Sequence, residues 1–289
     1  MLIGIVSNTR KPDHKEILAE FLDWLEGMHA EFLVDEALKP HFAPSQLKFC
    51  PSEELGKRCD VLLSFGGDGT LLSTARAVAE TETPILGVNT GGLGYLAEIS
   101  PRQLIEKFRD FLEGKYSIEK RMLLEARVSP PLASEPEKTY FALNDIVVDK
   151  GQSSRIIRLR TTIDGDFFNI YRGDGLIIST PTGSTAYSLS AGGPILEPTM
   201  QGVIINPICP HTLGHRPVVI ASDKVIEIET DPRYSDQVFY CDGFQEMILP
   251  QKAKIRVQKS QRVVRLIRMT GNHFYLTLRE KLNWGIDWE

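Results

Sequence analysis

Cysteine is scarce, with only Cys50, Cys59, Cys209 and Cys241 among 289 residues and no CxxC spacing. That excludes a disulfide framework and reads as four buried thiols in a reducing compartment. Long apolar runs are missing too, none approaching the roughly 20 residues of a membrane helix. The N-terminal stretch Met1-Leu-Ile-Gly-Ile-Val has neither a basic region nor a small-residue cleavage site. A signal peptide is therefore not expected, and the sequence reads as cytoplasmic with no membrane partner. Basic charge is in short supply: the formal net charge is −5, with 8 Lys/Arg against 14 Asp/Glu in residues 1–97 and 25 against 24 in the rest. Neither half carries the cationic surplus of a sequence-independent nucleic-acid binder, so no nucleic-acid partner is expected. The dinucleotide fingerprint GxGxxG is absent. The pair in His211-Thr-Leu-Gly-His215 has no intervening Glu and sits between Pro210 and Gly214, so no protein-held metal site is expected. There are no internal repeats and no low-complexity tract.

The first hundred residues alternate two rhythms. Leu2–Val6, Glu31–Val34, Asp60–Phe65 and Pro84–Val88 are short apolar runs, and Asp13–His29 and Thr70–Glu80 carry apolar residues at helical spacing. Near-continuous apolar strands separated by helices predict a parallel sheet covered on both faces, with ligands at the carboxyl ends of its strands. After residue 100 one more helix is expected over Pro101–Glu113. Short β-branched runs punctuated by Pro, Gly, Asp and Ser then follow, as in an all-β domain. They include Lys120–Val128, Phe141–Val148, Arg155–Ile163, Gly175–Thr180, Val203–Ile208 and Val238–Cys241. Residues 252–268 hold seven Lys/Arg and no acid, alternating with Ile and Val, and read as a hairpin with one solvated basic face. Pro130–Lys138 reads as a loop and Asn272–Trp284 as a helix. The expected organisation is a 1–99 α/β domain and a 100–269 β-domain, with 270–289 packing back on the first.

Three segments carry chemistry. Gly66-Gly67-Asp68-Gly69-Thr70 lies between an apolar run and a helix, where glycines admit a phosphate close to the backbone and the helix start offers free N–H groups. Asp68 would repel that phosphate unless it takes a proton from an attacking hydroxyl or helps hold Mg²⁺. The plainer alternative is a tight turn with Asp68 as the helix N-cap. Gly91-Gly92-Leu93-Gly94 reads, by itself, as a plain turn. The second segment is Tyr171–Pro194, which passes from a charged turn through an apolar strand into a hydroxyl-rich loop. Its Asp174, Thr185, Tyr187 and Ser190 suit ligand contact, although Thr180–Ser184 can also be read as a loop capping a short helix. The third is Asn144-Asp145, which offers a donor and acceptors to a ribose diol or is a common strand-edge pair.

Taken together, Gly66–Thr70, Gly87–Leu96, Asn144-Asp145, Asp174–Pro194, Pro210-His-Thr-Leu213 and Arg216-Pro217 resemble the NAD kinase family in content and order. The stretch Glu119–Glu125 is similar as well, so the likeness covers nearly the whole chain. GGDGT by itself is shared with lipid kinases and phosphofructokinases, and the Asp174–Pro194 run decides the assignment. The resemblance implies a two-domain α+β fold, with an N-terminal Rossmann-like domain and a C-terminal β-sandwich. It implies phosphoryl transfer from ATP, or polyphosphate, to the 2′-hydroxyl of the adenosine ribose of NAD. Mg²⁺ or Mn²⁺ would accompany the nucleotide, with no tightly bound prosthetic group, and the chain would form a homo-oligomer, a dimer or tetramer.

Carried onto this chain, Asp68 would be the general base, and Gly66, Gly67, Gly69 and Thr70 would form the phosphate loop. Gly69 would also approach NAD. Asn144 and Asp145 would hold ribose hydroxyls, and Asp174 would meet the nicotinamide end. Thr185, Ala186, Tyr187 and Ser190 would line the NAD pocket, joined by Arg155, Arg172 and Gln245. Two departures stand out. Asp145 replaces the Glu common in the family, and the spacing around Phe244 is one residue longer than usual. A GGDGT lipid kinase and a non-catalytic NAD sensor are the competing readings.

Overall fold

The structure is a computed structural model that describes residues 1–7, 12–42, 47–91, 94–129, 137–234, 236–269 and 274–285. It divides into two units, Met1–Lys120 with Val264–Glu289, and Arg121–Val263. The first unit begins β1 (Leu2–Ser7), α1 (Pro12–Gly27), β2 (Glu31–Asp35), β3 (Phe49–Cys50) and α2 (Ser52–Arg58). It continues with β4 (Val61–Gly66), α3 (Asp68–Ala77), β5 (Ile85–Asn89) and α4 (Leu104–Leu112). The five strands are parallel, in the order β3-β2-β1-β4-β5. The order reverses between β1 and β4, and the carboxyl ends of strands at such a switch point are where open α/β sheets bind ligands. Gly66–Thr70 leaves the carboxyl end of β4.

Both faces of this sheet are covered, as its unbroken apolar strands require. On one face Phe21 of α1 sits against Trp24 (5.7 Å), Phe65 (5.4 Å) and Phe108 of α4 (5.3 Å). On the other, Thr74 of α3 donates its hydroxyl to Ser64 of β4 at 3.0 Å. Phe108 and Phe111 therefore tie α4 into the first unit's core. The change of rhythm at residue 100 would have placed that helix in the second unit. A short 3₁₀ turn, Pro101–Gln103, precedes it, so the helix expected over Pro101–Glu113 forms in two pieces.

The second unit takes in β6 (Tyr116–Val128, from Arg121 onward), β7 (Lys138–Ala142), β8 (Asp145–Asp149), β9 (Ile157–Ile163), β10 (Asp166–Gly173) and β11 (Gly175–Ser179). The four-residue helix α5 (Tyr187–Ser190), β12 (Gly202–Ile208), β13 (Val218–Ala221), β14 (Ile226–Thr230), β15 (Val238–Cys241) and β16 (Phe244–Ile248) follow. One sheet runs β13-β12-β11-β8-β15-β16, antiparallel throughout. The facing sheet holds β10, β9 and β14 with β17 (Lys254–Met269), and β6 pairs β17 and β7. Alternate residues such as Ile146, Val148, Leu176, Ile178, Ile226, Ile228, Ile255 and Val257 fill the core of a β-sandwich.

Two expected elements differ. From Lys254 onward the basic stretch 252–268 is one continuous strand, β17, rather than a hairpin. It has no turn residue, and its later part joins the first unit's sheet, with Leu266 opposite Ile85. Phe141–Val148 breaks into β7 and β8 because Leu143 and Asn144 turn between them. Cys50, Cys59 and Cys241 are buried free thiols as expected, but Cys209 is exposed, in the left-handed region at φ 43° after β12. Of Asn272–Trp284, the structure has a helix, α6 (Phe274–Leu282), in the first unit. Residues 270–273 and 286–289, like Gly92, Leu93 and 130–136 of the expected loops, lie outside the described residues.

Candidate active site

In the first unit, the glycine loop is built for approach from outside. Gly67 is the N-cap of α3 and Asp68 its first residue, so the side chain of Asp68 does not cap the helix. A Cβ at position 66 would collide with the Thr70 hydroxyl, so packing demands that glycine. A Cβ at 67 or 69 would meet nothing within 4 Å. Glycine at those two positions leaves the backbone bare toward open space, which is what an incoming phosphate requires.

The Asp68 carboxylate turns instead to the loop after β5. The backbone N–H groups of Tyr95 and Leu96 donate to its two oxygens at 2.8 and 3.0 Å. Gly94 has no room for a Cβ, because it would strike Asp68 Oδ1. The second glycine segment is thus more than a plain turn: its last glycine admits the carboxylate. Arg268, near the end of β17, donates to the Leu96 carbonyl at 3.4 Å and pairs with Glu98, fastening the same loop.

In the second unit, a cleft of about 450 Å³ opens on the outer face of the six-stranded sheet. Its floor is Val147 and Tyr240; its walls are Asn144, Asp145, Asp149, Ala186, Tyr187, Asp242 and Gly243. The strand period explains the chemistry: Ile146 and Val148 point into the sandwich, so Asp145, Val147 and Asp149 face the cleft. The turn before β8 is held by Asp242, whose carboxylate accepts the N–H groups of Leu143 (2.8 Å), Asn144 (2.6 Å) and Asp145 (3.1 Å). Asp242 and Gly243 adopt φ 51° and 78°, the two left-handed positions of a type I′ hairpin.

The hydroxyl-rich loop is anchored from beneath. Thr180 Oγ1 donates to the Leu143 carbonyl at 2.6 Å and accepts the Gly183 N–H at 3.0 Å. Gly183 lies so close to the Asn144 backbone that no side chain fits. Ser184 and Ser188 are fully buried, and Asn206 donates to the Ser188 carbonyl at 2.9 Å. Their hydroxyls serve the loop, while Ala186 and Tyr187 are what it presents to the cleft.

Electrostatically the cleft is acidic. Asp145 is 4% exposed, and burial, reinforced by the Asp242 charge, pushes its carboxyl up to about 7. Burial also raises Asp149 and the Tyr187 phenol above their ordinary values. Asp174, between β10 and β11, accepts a hydrogen bond from Lys150 Nζ at 2.8 Å, a role not visible in its local sequence.

Of the residues expected at the site, Asn144, Asp145, Ala186 and Tyr187 line this cleft. Thr185 and Ser190 flank the latter two without lining it, and Arg155 and Arg172 are exposed away from its walls. Gln245 is exposed on the edge strand β16, opposite Tyr240. Beside it the hairpin carries a β-bulge at Glu246, where the register jumps from Phe239↔Met247 to Tyr240↔Gln245. Val147, Asp149, Tyr240, Asp242 and Gly243 were missed. The Asp242-Gly243 pair between two apolar runs was the available signal, since it marks a hairpin whose tip comes back beside residues 143–145. Among the described residues no group of three or more His, Cys, Asp or Glu is arranged to hold a metal ion, His211 and His215 included. His215 packs its ring edge-on to Tyr171, 5.2 Å between centroids.

Comparison with known proteins identifies the family. Residues 3–116 match the family described as ATP-NAD kinase N-terminal domain, and residues 143–269 the ATP-NAD kinase C-terminal domain. The NAD kinase of Moorella thermoacetica is 41% identical over 287 residues, covering 98% of this chain and 89% of that protein. The NAD kinase of Geotalea daltonii is 38% identical over 283 residues, covering 98% of each. Among solved structures, a yeast NADH kinase complexed with NADH superposes with a TM-score of 0.90 at 26% identity, covering 99% of this chain and 88% of that one. An NAD kinase from Archaeoglobus fulgidus in complex with ATP gives a TM-score of 0.75 at 26% identity, covering 98% and 99%. With both halves matched in order and relatives aligned over almost their full length, the chain belongs to the NAD kinase family.

Proposed function

We propose that this chain transfers the terminal phosphoryl group of ATP to the 2′-hydroxyl of the adenosine ribose of NAD, releasing NADP and ADP. The observation that carries the assignment of residues is the cleft over β8. There an amide and a buried carboxylate, Asn144 and Asp145, stand side by side on a turn fixed by three hydrogen bonds to Asp242. A ribose diol needs both acceptors and a donor, and this pair offers them. Tyr187, 44% exposed at the rim, presents a ring face for a base. Asp174, Thr185, Ser190, Arg155, Arg172 and Gln245 are assigned to the outer parts of NAD, beyond the diol.

The donor phosphates are assigned to Gly66–Thr70, with the bare backbone at Gly67 and Gly69 as the point of closest approach. Asp68 accepts the proton of the attacking hydroxyl, which a ribose alcohol needs because it is a poor nucleophile at neutral pH. Its two hydrogen bonds from Tyr95 and Leu96 fix the carboxylate plane and leave lone pairs on both oxygens. The divalent ion, Mg²⁺ or Mn²⁺, enters as part of the nucleotide substrate and neutralises its phosphates. Polyphosphate is a second donor to be tried. The same reading takes the protein to work in the cytoplasm as a homo-oligomer.

The test offers NAD and diacylglycerol together with ATP and Mg²⁺ to the purified protein. The phosphoryl group is expected on NAD alone, with no turnover in excess EDTA. Phosphorylated lipid, or NAD bound without ATP consumption, would return the chain to one of the competing readings.

A further inference from the structure

Helix α6, Phe274–Leu282, lies beyond the residues matched by either family domain, yet it delivers a charge to the glycine loop. Leu278 is buried and seats the helix on the first unit. One turn on, Lys281 lies over the Tyr95 ring, its Nζ 3.9 Å from the centroid. The same Nζ is 3.9 Å from Asp68 Oδ2, the oxygen that accepts the Tyr95 N–H. The Lys281 side chain is only 21% exposed, and burial pulls its ammonium below the ordinary lysine value while the Asp68 charge opposes that. The contact is an ion pair too long for a hydrogen bond, so the ammonium is steered by charge and by the ring rather than locked to one oxygen.

This arrangement answers the oddity of GGDG, an anionic side chain inside an anion-binding loop. We propose that Lys281 is a positioning residue for phosphoryl transfer: it is the counter-charge that lets the Asp68 carboxylate stand beside the donor phosphates. Without it, an incoming nucleotide meets an aspartate whose charge is offset only by backbone N–H groups. With it, the loop is close to neutral, and the ammonium keeps donors free to turn toward a phosphate oxygen. The proposal rests on the assignment of the donor phosphates to this loop. It concerns binding of the donor, not the identity of the acceptor.

Equilibrium binding of ATP in the presence of Mg²⁺, and separately of NAD, is measured for the wild-type chain and for Lys281→Met and Lys281→Arg, with thermal melting of each. Lys281→Met keeps the stem on the Tyr95 ring and removes only the charge. It is expected to weaken ATP about tenfold and NAD less than twofold, whereas Lys281→Arg stays within threefold of wild type for both. ATP binding unchanged in Lys281→Met, an equal loss for both ligands, or no ATP binding by the wild type would overturn the proposal. Because the readout is binding, a chain that binds ATP through Lys281 but does not phosphorylate NAD would sink the proposed acceptor and leave this inference standing. If Lys281→Met fails to fold, Lys281→Gln replaces it under the same criteria.

Discussion

Asp68 and Asp145 are both aspartates beside a turn, and their surroundings give them opposite tasks. Asp68 receives two backbone N–H groups and lies beside an ammonium, which together hold the carboxylate in one place. Replacing it with Asn leaves the side-chain shape but turns one N–H₂ toward a backbone N–H. Asp68→Asn should therefore lose about 1–2 kcal/mol of stability and still fold, while kcat falls by about two to four decades. A variant that melts as expected but retains more than a tenth of the wild-type kcat would move the base elsewhere.

Asp145 is the reverse case. Its carboxyl, held up to about 7 by burial and by Asp242, is mostly protonated at pH 6 and mostly ionised at pH 8. A diol donates to the ionised form, so NAD affinity should rise about tenfold from pH 6 to pH 8. Titration calorimetry at several pH values checks this, and Asp145→Asn should flatten the dependence; a flat wild-type profile contradicts it. The sign for stability is opposite. The folded chain holds this proton above the unfolded value of 3.8, so stability of the ligand-free protein declines as pH climbs from there through about 7. Asp145→Asn should remove that decline.

Among the elements, glycines with the same local pattern have different reasons to exist, and only the structure separates them. Gly69 is the second residue of α3 with open space around it, while Gly94 is pressed on Asp68. Gly69→Ala should raise stability slightly, by about 0.5–1 kcal/mol, because alanine is the better helix former, yet lower activity by covering the phosphate approach. Gly94→Ala should lose both stability and kcat by displacing the carboxylate. Melting temperature read against kcat for the pair checks this, and equal behaviour of the two variants would refute it. Asp242→Ala strips the acceptor from three N–H groups at once and should cost about 2–3 kcal/mol, together with NAD binding. Unaltered NAD affinity in a folded Asp242→Ala protein would show that the turn does not position Asn144 and Asp145.

Four of the five parallel strands were legible in the sequence because their apolar runs are continuous, whereas the two-residue β3 and the short α2 left no such run, and Gly66–Thr70 and Asn144-Asp145 stood out by residue type. It hid what depends on pairing. Strand β10 and the edge strand β16 went unseen because Asp164-Gly165 and Asp242-Gly243, both in type I′ geometry, were not taken as hairpin turns. The Lys150–Asp174 and Lys281–Asp68 pairs join residues too far apart in the chain for any local pattern to reveal.

For the whole molecule, one consequence is that chemistry is divided by unit. The α/β unit carries the glycine loop, Asp68 and Lys281, and the β-sandwich carries the acidic cleft with Asn144, Asp145 and Tyr187. Among the described residues no helix is long and apolar enough to cross a membrane. On the proposed function, the loop would take the donor and the cleft the diol; among the described residues no group of three or more His, Cys, Asp or Glu could hold a metal ion. The product of the reaction is the decisive observable. Wild-type protein and Asp68→Asn are incubated with NAD, ATP and Mg²⁺, and the products are resolved by ³¹P nuclear magnetic resonance. ADP and a dinucleotide phosphorylated on the 2′-oxygen of its adenosine ribose are expected, formed one for one by the wild type and at least a hundredfold more slowly by Asp68→Asn. ADP without phosphorylated NAD, or a phosphate on any other oxygen, would contradict the proposed function.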